Sequence, residues 1–214
     1  MTPDANTLKI NRIFWSCQGE GQQAGRPAVF VRFCGCSLRC EWCDTREAWD
    51  QGRFLAVDRI RAQIRKLARQ YPPSLVVLTG GEPLEQPPDR LQQLVHSLKT
   101  EGRTVAIETN GLHPPLEEID WWTISPKGRG GFGIHPGLID RAREVKLVTE
   151  PGLNLSVVRS LRKQLPPDVP IYLQPRSSRP NSLRRTFALF RQTQSENIHP
   201  VILGFQLHKL YNIP

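Results

Sequence analysis

The sequence predicts an α/β protein with a parallel sheet, in the form of a partial, splayed (β/α) barrel of about six strands. Three observations carry that expectation. Short β-branched or aromatic runs alternate along the chain with amphipathic segments of helical period. Each run ends in a polar or glycine-rich loop. The runs are too few to close an eight-stranded barrel. The 214 residues are read as a single domain, 1–214, with a cysteine-rich loop at 34–50.

Taken in order, Leu8-Lys9-Ile10-Asn11-Arg12-Ile13-Phe14 alternates as a short strand does. Ser16-Cys17-Gln18-Gly19-Glu20-Gly21 follows as a glycine-punctuated loop. Ala28-Val29-Phe30-Val31-Arg32-Phe33 delivers the chain to the cysteines, and Arg32, in step with Phe30, faces either solvent or a site. Residues 57–70 place Val57, Ile60, Ile64 and Leu67 on one helical face, and Pro72-Pro73 ends that helix. Leu75-Val76-Val77-Leu78-Thr79 is a compact apolar strand that runs into Gly80-Gly81-Glu82-Pro83. A helix with Leu91, Leu94, Val95 and Leu98 on one side follows, with Gly102 beyond its end. The strand Thr104–Glu108 ends in Thr109-Asn110-Gly111, and Trp121-Trp122-Thr123-Ile124 leads into Ser125-Pro126-Lys127.

The glycines of 128–137 predict a flexible loop. Beyond it Glu144–Val148 is strand-like, Leu155–Leu165 helical and Ile171–Gln174 a strand. Asn181–Gln192 reads as a helix opening at an Asn cap, and Val201–Leu207 as the last strand. In such sheets ligands bind at the carboxyl ends of the strands. Cys36, Gly81, Asn110, Lys127 and Gln174 are therefore expected along one rim.

Composition narrows the function. No apolar run approaches the length of a bilayer span, and MTPDANTLKI has no signal-peptide core, so a cytoplasmic protein without membrane contact is expected. The net charge of +9 raises the possibility of a nucleic-acid partner, but the 29 basic residues are scattered and not interleaved with aromatic residues. Direct nucleic-acid binding is not expected. Five cysteines, an odd number with three bunched together, argue against a disulfide framework and for a reducing compartment. Cys17 and Cys34 are read as packing residues.

The bunched cysteines are Cys36, Cys40 and Cys43, within Cys36-Ser37-Leu38-Arg39-Cys40-Glu41-Trp42-Cys43-Asp44-Thr45. A structural zinc site takes four protein ligands, and an ordinary electron-transfer [4Fe–4S] cluster takes four cysteines. Here the fourth is missing. Three thiolates on a four-iron cluster leave one iron open to a small molecule; alternatively the three hold zinc, with His113 or His135 as the fourth ligand. The C-x3-C-x2-C spacing resembles that of the radical S-adenosylmethionine (radical SAM) enzymes. That resemblance implies a cluster whose open iron chelates S-adenosylmethionine and reduces it to a deoxyadenosyl radical. Gly80-Gly81-Glu82-Pro83, by itself either a tight turn or a loop whose glycines let the backbone approach a ligand, then resembles the superfamily's GGEP segment beside the methionine ammonium.

A closer resemblance joins several segments in one order: Gln18-Gly19-Glu20-Gly21, the loop ending Trp42-Cys43-Asp44-Thr45, Thr79-Gly80-Gly81-Glu82-Pro83, Glu108-Thr109-Asn110-Gly111, Ser125-Pro126-Lys127, Gln174-Pro175 and His208–Pro214. Together they resemble the 7-carboxy-7-deazaguanine synthases of the queuosine and 7-deazapurine pathway, from about Ile13 to the last residue. Ser-x-Gln-Gly-Glu-Gly and Cys-x-Trp-Cys-Asp-Thr are the most specific pieces. The reaction implied contracts 6-carboxy-5,6,7,8-tetrahydropterin to 7-carboxy-7-deazaguanine with loss of ammonia. A radical SAM activating enzyme for a glycyl-radical protein is the alternative, but it would lack the Gln18–Glu20 constellation.

By the same resemblance Cys36, Cys40 and Cys43 bind the cluster. Trp42, Asp44, Gly81, Glu82, Glu108, Ser125, Pro126, Lys127 and Gln174 surround S-adenosylmethionine. Thr45 binds Mg2+, a hard ion suited to an oxygen ligand, unless it is simply a turn-capping threonine. Cys17 (through its backbone), Gln18, Gly19, Glu20, Arg32, Thr79, His208 and Pro214 hold the pterin. Arg32 is suited to fork a carboxylate. A flavodoxin or ferredoxin reductant and a homodimer are implied as well. His113, His135 and His199 receive no role from it.

Overall fold

In the computed structural model, which describes residues 6–72, 75–176 and 180–214, the alternating runs become nine strands. They are β1 (Thr7–Cys17), β2 (Pro27–Phe33), β3 (Arg53–Ala56), β4 (Leu75–Thr79), β5 (Thr104–Thr109), β6 (Trp121–Ile124), β7 (Glu144–Val148), β8 (Ile171–Gln174) and β9 (Val201–Leu203). The helices are α1 (Val57–Gln70), α2 (Pro88–Thr100), α3 (Pro136–Ile139), α4 (Leu155–Gln164), α5 (Pro180–Ser195) and α6 (Leu207–Tyr211). All strands join one open sheet in the order β3-β1-β2-β4-β5-β6-β7-β8-β9. From β2 to β9 every pairing is parallel, while β1 is antiparallel to both β2 and β3. The sheet is thus the partial barrel expected, with more strands than the sequence suggested.

Period-two alternation divides the side chains between the two faces. Val29, Val31, Val76, Leu78, Val105, Ile107, Val145, Leu147, Ile171 and Leu173 enter the main core, with Ile60, Ile64, Leu91, Leu94 and Leu161 from the helices. The opposite face starts apolar, with Phe14, Phe30, Val77 and Ala106 in a smaller cluster. Along the same rows it turns polar toward the carboxyl ends of the strands: Arg32 follows Phe30, Thr79 follows Val77, and Glu108 follows Ala106. Burying the first face positions the second.

Several boundaries differ from expectation. β3 was not foreseen because Arg53-Phe54-Leu55-Ala56 is a short, mostly exposed edge strand with no buried alternation. The 128–137 loop contains a 3-10 turn at Gly128–Gly130 and the start of α3, whose first turn is capped by His135 Nδ1 accepting from Gly137 N at 3.2 Å. α5 is already helical at Pro180, so Asn181 lies in its first turn rather than at its cap; proline's fixed φ suits that turn. The last strand stops at Leu203 instead of Leu207. Leu207 N donates to Gly19 O (3.0 Å), which draws 207–211 into α6 against the loop after β1. Pro73, expected to help end α1, lies outside the described residues.

Candidate active site

The polar row opens into a cavity of about 250 Å³ at the carboxyl ends of the strands. Cys36, Gly81, Asn110, Lys127 and Gln174 all line it, as the expected rim requires. So do Cys40, Cys43, Trp42, Asp44, Thr45, Glu82, Glu108, Ser125, Cys17, Gln18, Gly19, Glu20, Arg32, Thr79, His208 and Pro214. Pro126 does not: it is buried behind the wall, where its ring follows Ser125 out of β6. The cavity brings together residues from almost the whole length of the chain.

The cysteine loop is fixed against the sheet by backbone bonds. Gly35 N donates to Ala48 O and Cys43 N to Cys40 O (2.8 and 2.9 Å). Glu82 N donates to Gly35 O at 2.7 Å, and a Cβ at Gly81 (φ 54°) would overlap that same carbonyl. The glycine turn therefore packs on the cysteine loop itself. Cys36, Cys40 and Cys43 are free thiols, and burial pushes the Cys36 and Cys40 thiols up. Cys34 is buried in the core at 1% exposure and is not in the cavity wall.

Glu82 is 1% exposed and spends both oxygens on the protein. Oε1 accepts from Leu84 N (3.0 Å) and Thr109 Oγ1 (2.7 Å), and Oε2 from Asn110 N (2.7 Å). Burial pushes its carboxyl up despite those donors. Trp42 Nε1 donates to Glu150 Oε2 (2.8 Å), whose Oε1 accepts from Gly128 N (2.9 Å). Lys127 Nζ lies 5.6 Å from the Trp42 ring centroid and donates to Ser125 Oγ. Three buried amides in the wall have unmet capacity: both polar atoms of the Gln174 side chain, the Asn110 Nδ2 and the Gln206 Oε1.

The opposite wall is a network of carboxylates and donors. Gln18 Nε2 donates to Glu108 Oε1 (2.9 Å), and Thr79 Oγ1 to Glu108 Oε2 (2.8 Å). Burial works to raise the Glu108 carboxyl, but the charge of Lys146, these two bonds and Arg32 together hold it below the usual range. Gln206 Nε2 donates to Glu20 Oε1 at 2.7 Å. Arg32 Nη1 donates to Thr45 Oγ1 at 2.8 Å, and its guanidinium stands 5.6 Å from the Phe14 ring centroid. Gly19 is required by close approach: a Cβ there would lie 2.5 Å from His208 Nδ1.

The donor set can be tested against the groups expected in it. His113 pairs with Glu85 at 3.4 Å, His135 caps α3, His199 is exposed, and none of the three lines the cavity. Among the described residues no three His, Cys, Asp or Glu side chains converge to hold a single metal ion, so a mononuclear zinc site does not fit. Three thiols facing one cavity, beside amides with unmet capacity, do fit a cluster that leaves a position for a polar cofactor.

Sequence reasoning missed Lys146, Glu150 and Gln206, all of which bond to cavity residues. Lys146 had a signal: it lies two residues from Glu144 and from Val148, so β7 turns the three to the same face. Glu150 and Gln206 sit in irregular segments, and nothing in their local sequence marks them.

Residues 30–122 match the Radical SAM superfamily. The chain is 43% identical to a 7-carboxy-7-deazaguanine synthase of Bacteroides thetaiotaomicron, over 96% of this chain and 98% of that one. It is 33% identical to a synthase of the same name from Haemophilus influenzae, over 96% and 94% of the two chains. The crystal structure of QueE from Escherichia coli superposes with a TM-score of 0.76 at 28% identity, covering 94% of this chain and 95% of that chain.

Proposed function

The chain belongs to the 7-carboxy-7-deazaguanine synthase family of the radical SAM superfamily, and from that premise we propose that it converts 6-carboxy-5,6,7,8-tetrahydropterin to 7-carboxy-7-deazaguanine with loss of ammonia. One observation carries the reading: the three cysteines and the carboxylate–amide wall of Gln18, Glu20 and Glu108 face the same cavity. A [4Fe–4S] cluster and S-adenosylmethionine, when bound, supply the hydrogen-abstracting radical chemistry of the superfamily.

The protein's own residues bind and orient. Cys36, Cys40 and Cys43 would hold the cluster. Trp42, Asp44, Gly81, Glu82, Glu108, Ser125, Lys127 and Gln174 would surround S-adenosylmethionine, with Pro126 setting the backbone from behind. The Gln174 amide and Asn110 Nδ2 offer hydrogen bonds the protein leaves open. Gln18, Glu20 and Thr79, with the backbone of Cys17 and Gly19, would meet the pterin's donor and acceptor edge. Arg32 would fork its carboxylate, and His208 and Pro214 would close the pocket. Thr45 would hold Mg2+ through Oγ1, which now accepts from Arg32; cation and guanidinium would share the substrate carboxylate.

No helix among the described residues is long and apolar enough to cross a membrane. A cytoplasmic location and a flavodoxin or ferredoxin reductant belong to the same proposal, by resemblance to the family. The exposed apolar edge at Ile202, Leu203 and Phe205 supports a homodimer.

The test is anaerobic reconstitution with iron and sulfide, then dithionite, S-adenosylmethionine, Mg2+ and the tetrahydropterin. Formation of 7-carboxy-7-deazaguanine by mass and ultraviolet spectrum is expected, and Cys40→Ala abolishes it. A protein that cleaves S-adenosylmethionine but leaves the pterin intact would sink the substrate assignment. A colourless protein that retains zinc would sink the cluster as well.

A further inference from the structure

Lys146 is a buried cation in the cavity to which the reading above gives no role. It stands on β7 with its side chain 11% exposed, ion-paired with Glu20, whose side chain is 13% exposed. Two places along the sheet, on β5, Glu108 lies within reach of the same charge. The other partners of the two carboxylates are neutral amides and a hydroxyl: Gln206 on Glu20, and Gln18 and Thr79 on Glu108.

The remaining charges around Lys146 make their hydrogen bonds elsewhere, although the charge of Arg32 also reaches Glu108. Glu144, its neighbour on β7, accepts from Gln22 N and Thr123 Oγ1 at 2.7 Å each. Lys127, after β6, donates to Ser125. Arg32 on β2 donates to Thr45, and Asp44 in the cysteine loop accepts from Lys209 at 2.9 Å. His208 on α6 packs on Gly19, and burial lowers its tendency to carry a proton. Lys146 is therefore the cation bonded to Glu20, and its charge reaches Glu108 more strongly than that of Arg32.

Two carboxylates facing one low-dielectric cavity disfavour each other's charge, and without a cation one of them takes up a proton. The difference matters to a ligand: an ionised carboxylate only accepts, whereas a protonated one presents a donor. The amidine-like edge of a pterin carries N–H donors and needs acceptors opposite it. We propose that Lys146 is a positioning residue that holds Glu20 and Glu108 in place and both ionised, as the acceptor pair for the N–H edge of the substrate's pyrimidine ring. This rests on the pterin reading above, and it moves Glu108 from the S-adenosylmethionine side to the pterin edge, because both its oxygens bond to the pterin-side residues Gln18 and Thr79.

The experiment measures binding of 6-carboxytetrahydropterin, under nitrogen and by calorimetry, to cluster-loaded protein between about pH 6 and pH 8. Wild type, Lys146→Arg and Lys146→Met are compared as ratios to wild type, which removes the ligand's own titration. Lys146→Arg should stay near wild type at every pH. Lys146→Met should lose roughly tenfold or more at the acid end and recover toward the alkaline end, as the carboxyl deprived of its cation ionises. Wild-type affinity throughout, or a loss equal at every pH, would overturn the proposal.

A second readout needs no folded variant at Lys146 and no ligand. Infrared spectra of wild type at pH 6 should lack a protonated-carboxyl C=O band that Glu20→Gln or Glu108→Gln removes; such a band overturns the proposal. A wild type that fails to bind the pterin while the infrared result holds would refute the substrate reading, and with it the ligand named here, but not the ionised pair.

Discussion

Lys127 shows how a single residue can serve the site at the expense of the fold. Burial, followed by repulsion from Lys146, lowers its amine to about 8, against the pull of Cys40, Glu150 and Glu20. The folded value lies below the unfolded one, so the charged lysine costs stability below pH 8, and the cost fades as pH rises from 8 toward about 10.5. Lys127→Met should therefore stabilise the cluster-free protein at neutral pH by on the order of 1–2 kcal/mol, with the gain vanishing above about pH 10. Urea unfolding at the two pH values checks this, and a gain that grows with pH would contradict it. At the same scale, Gly81→Ala should prevent stable folding of the cysteine loop. Its Cβ would overlap the Gly35 carbonyl, which is backbone and cannot swing aside, and its φ of 54° is strained for alanine. Retention of a full complement of iron by that variant would refute the packing argument.

Among the elements, α4 is the simplest test of local chemistry. Asn154 Oδ1 accepts from Ser156 N (3.0 Å) and Val157 N (3.2 Å), satisfying amides that the first turn leaves without partners. Asn154→Ala should cost about 1 kcal/mol in urea unfolding and leave activity unchanged. The long helices were legible because their apolar stripes repeat over three turns or more: α1 occupies 57–70, as its periodicity predicts. α3 and α6, of four and five residues, are too short to show a period. The apolar run Val201–Leu207 looked like one strand, yet only its first three residues pair with β8. The rest is claimed by contacts with Gly19 and Glu20, some 190 residues away in sequence, which no local pattern encodes.

At the scale of the whole molecule, β9 ends the sheet with an unpaired edge that exposes Ile202 (40%) and Leu203 (36%), with Phe205 (45%) beside it. An uncovered apolar edge invites a second chain. If a second copy covers it, Ile202→Lys should halve the mass observed by sedimentation without changing the helix content. A wild type that sediments as a monomer at micromolar concentration would rule the interface out.

The sequence alone determined the layers of this protein and the chemical character of its site. Period and turn residues are local properties, and the spacing of Cys36, Cys40 and Cys43 fits within one loop, so both are legible without knowing what lies across the sheet. The tertiary structure decided which charges meet. Glu20, Glu108 and Lys146 come from a loop and two strands that are not adjacent in the sheet, and their pairing depends on its curvature and register. Only the folded sheet shows that Glu82 is consumed by Thr109 and Asn110, or that the lysine on β7 is set against the carboxylates of β5 and the β1 loop. Electrostatic partnership is a property of distance in space, and sequence separation carries no measure of it.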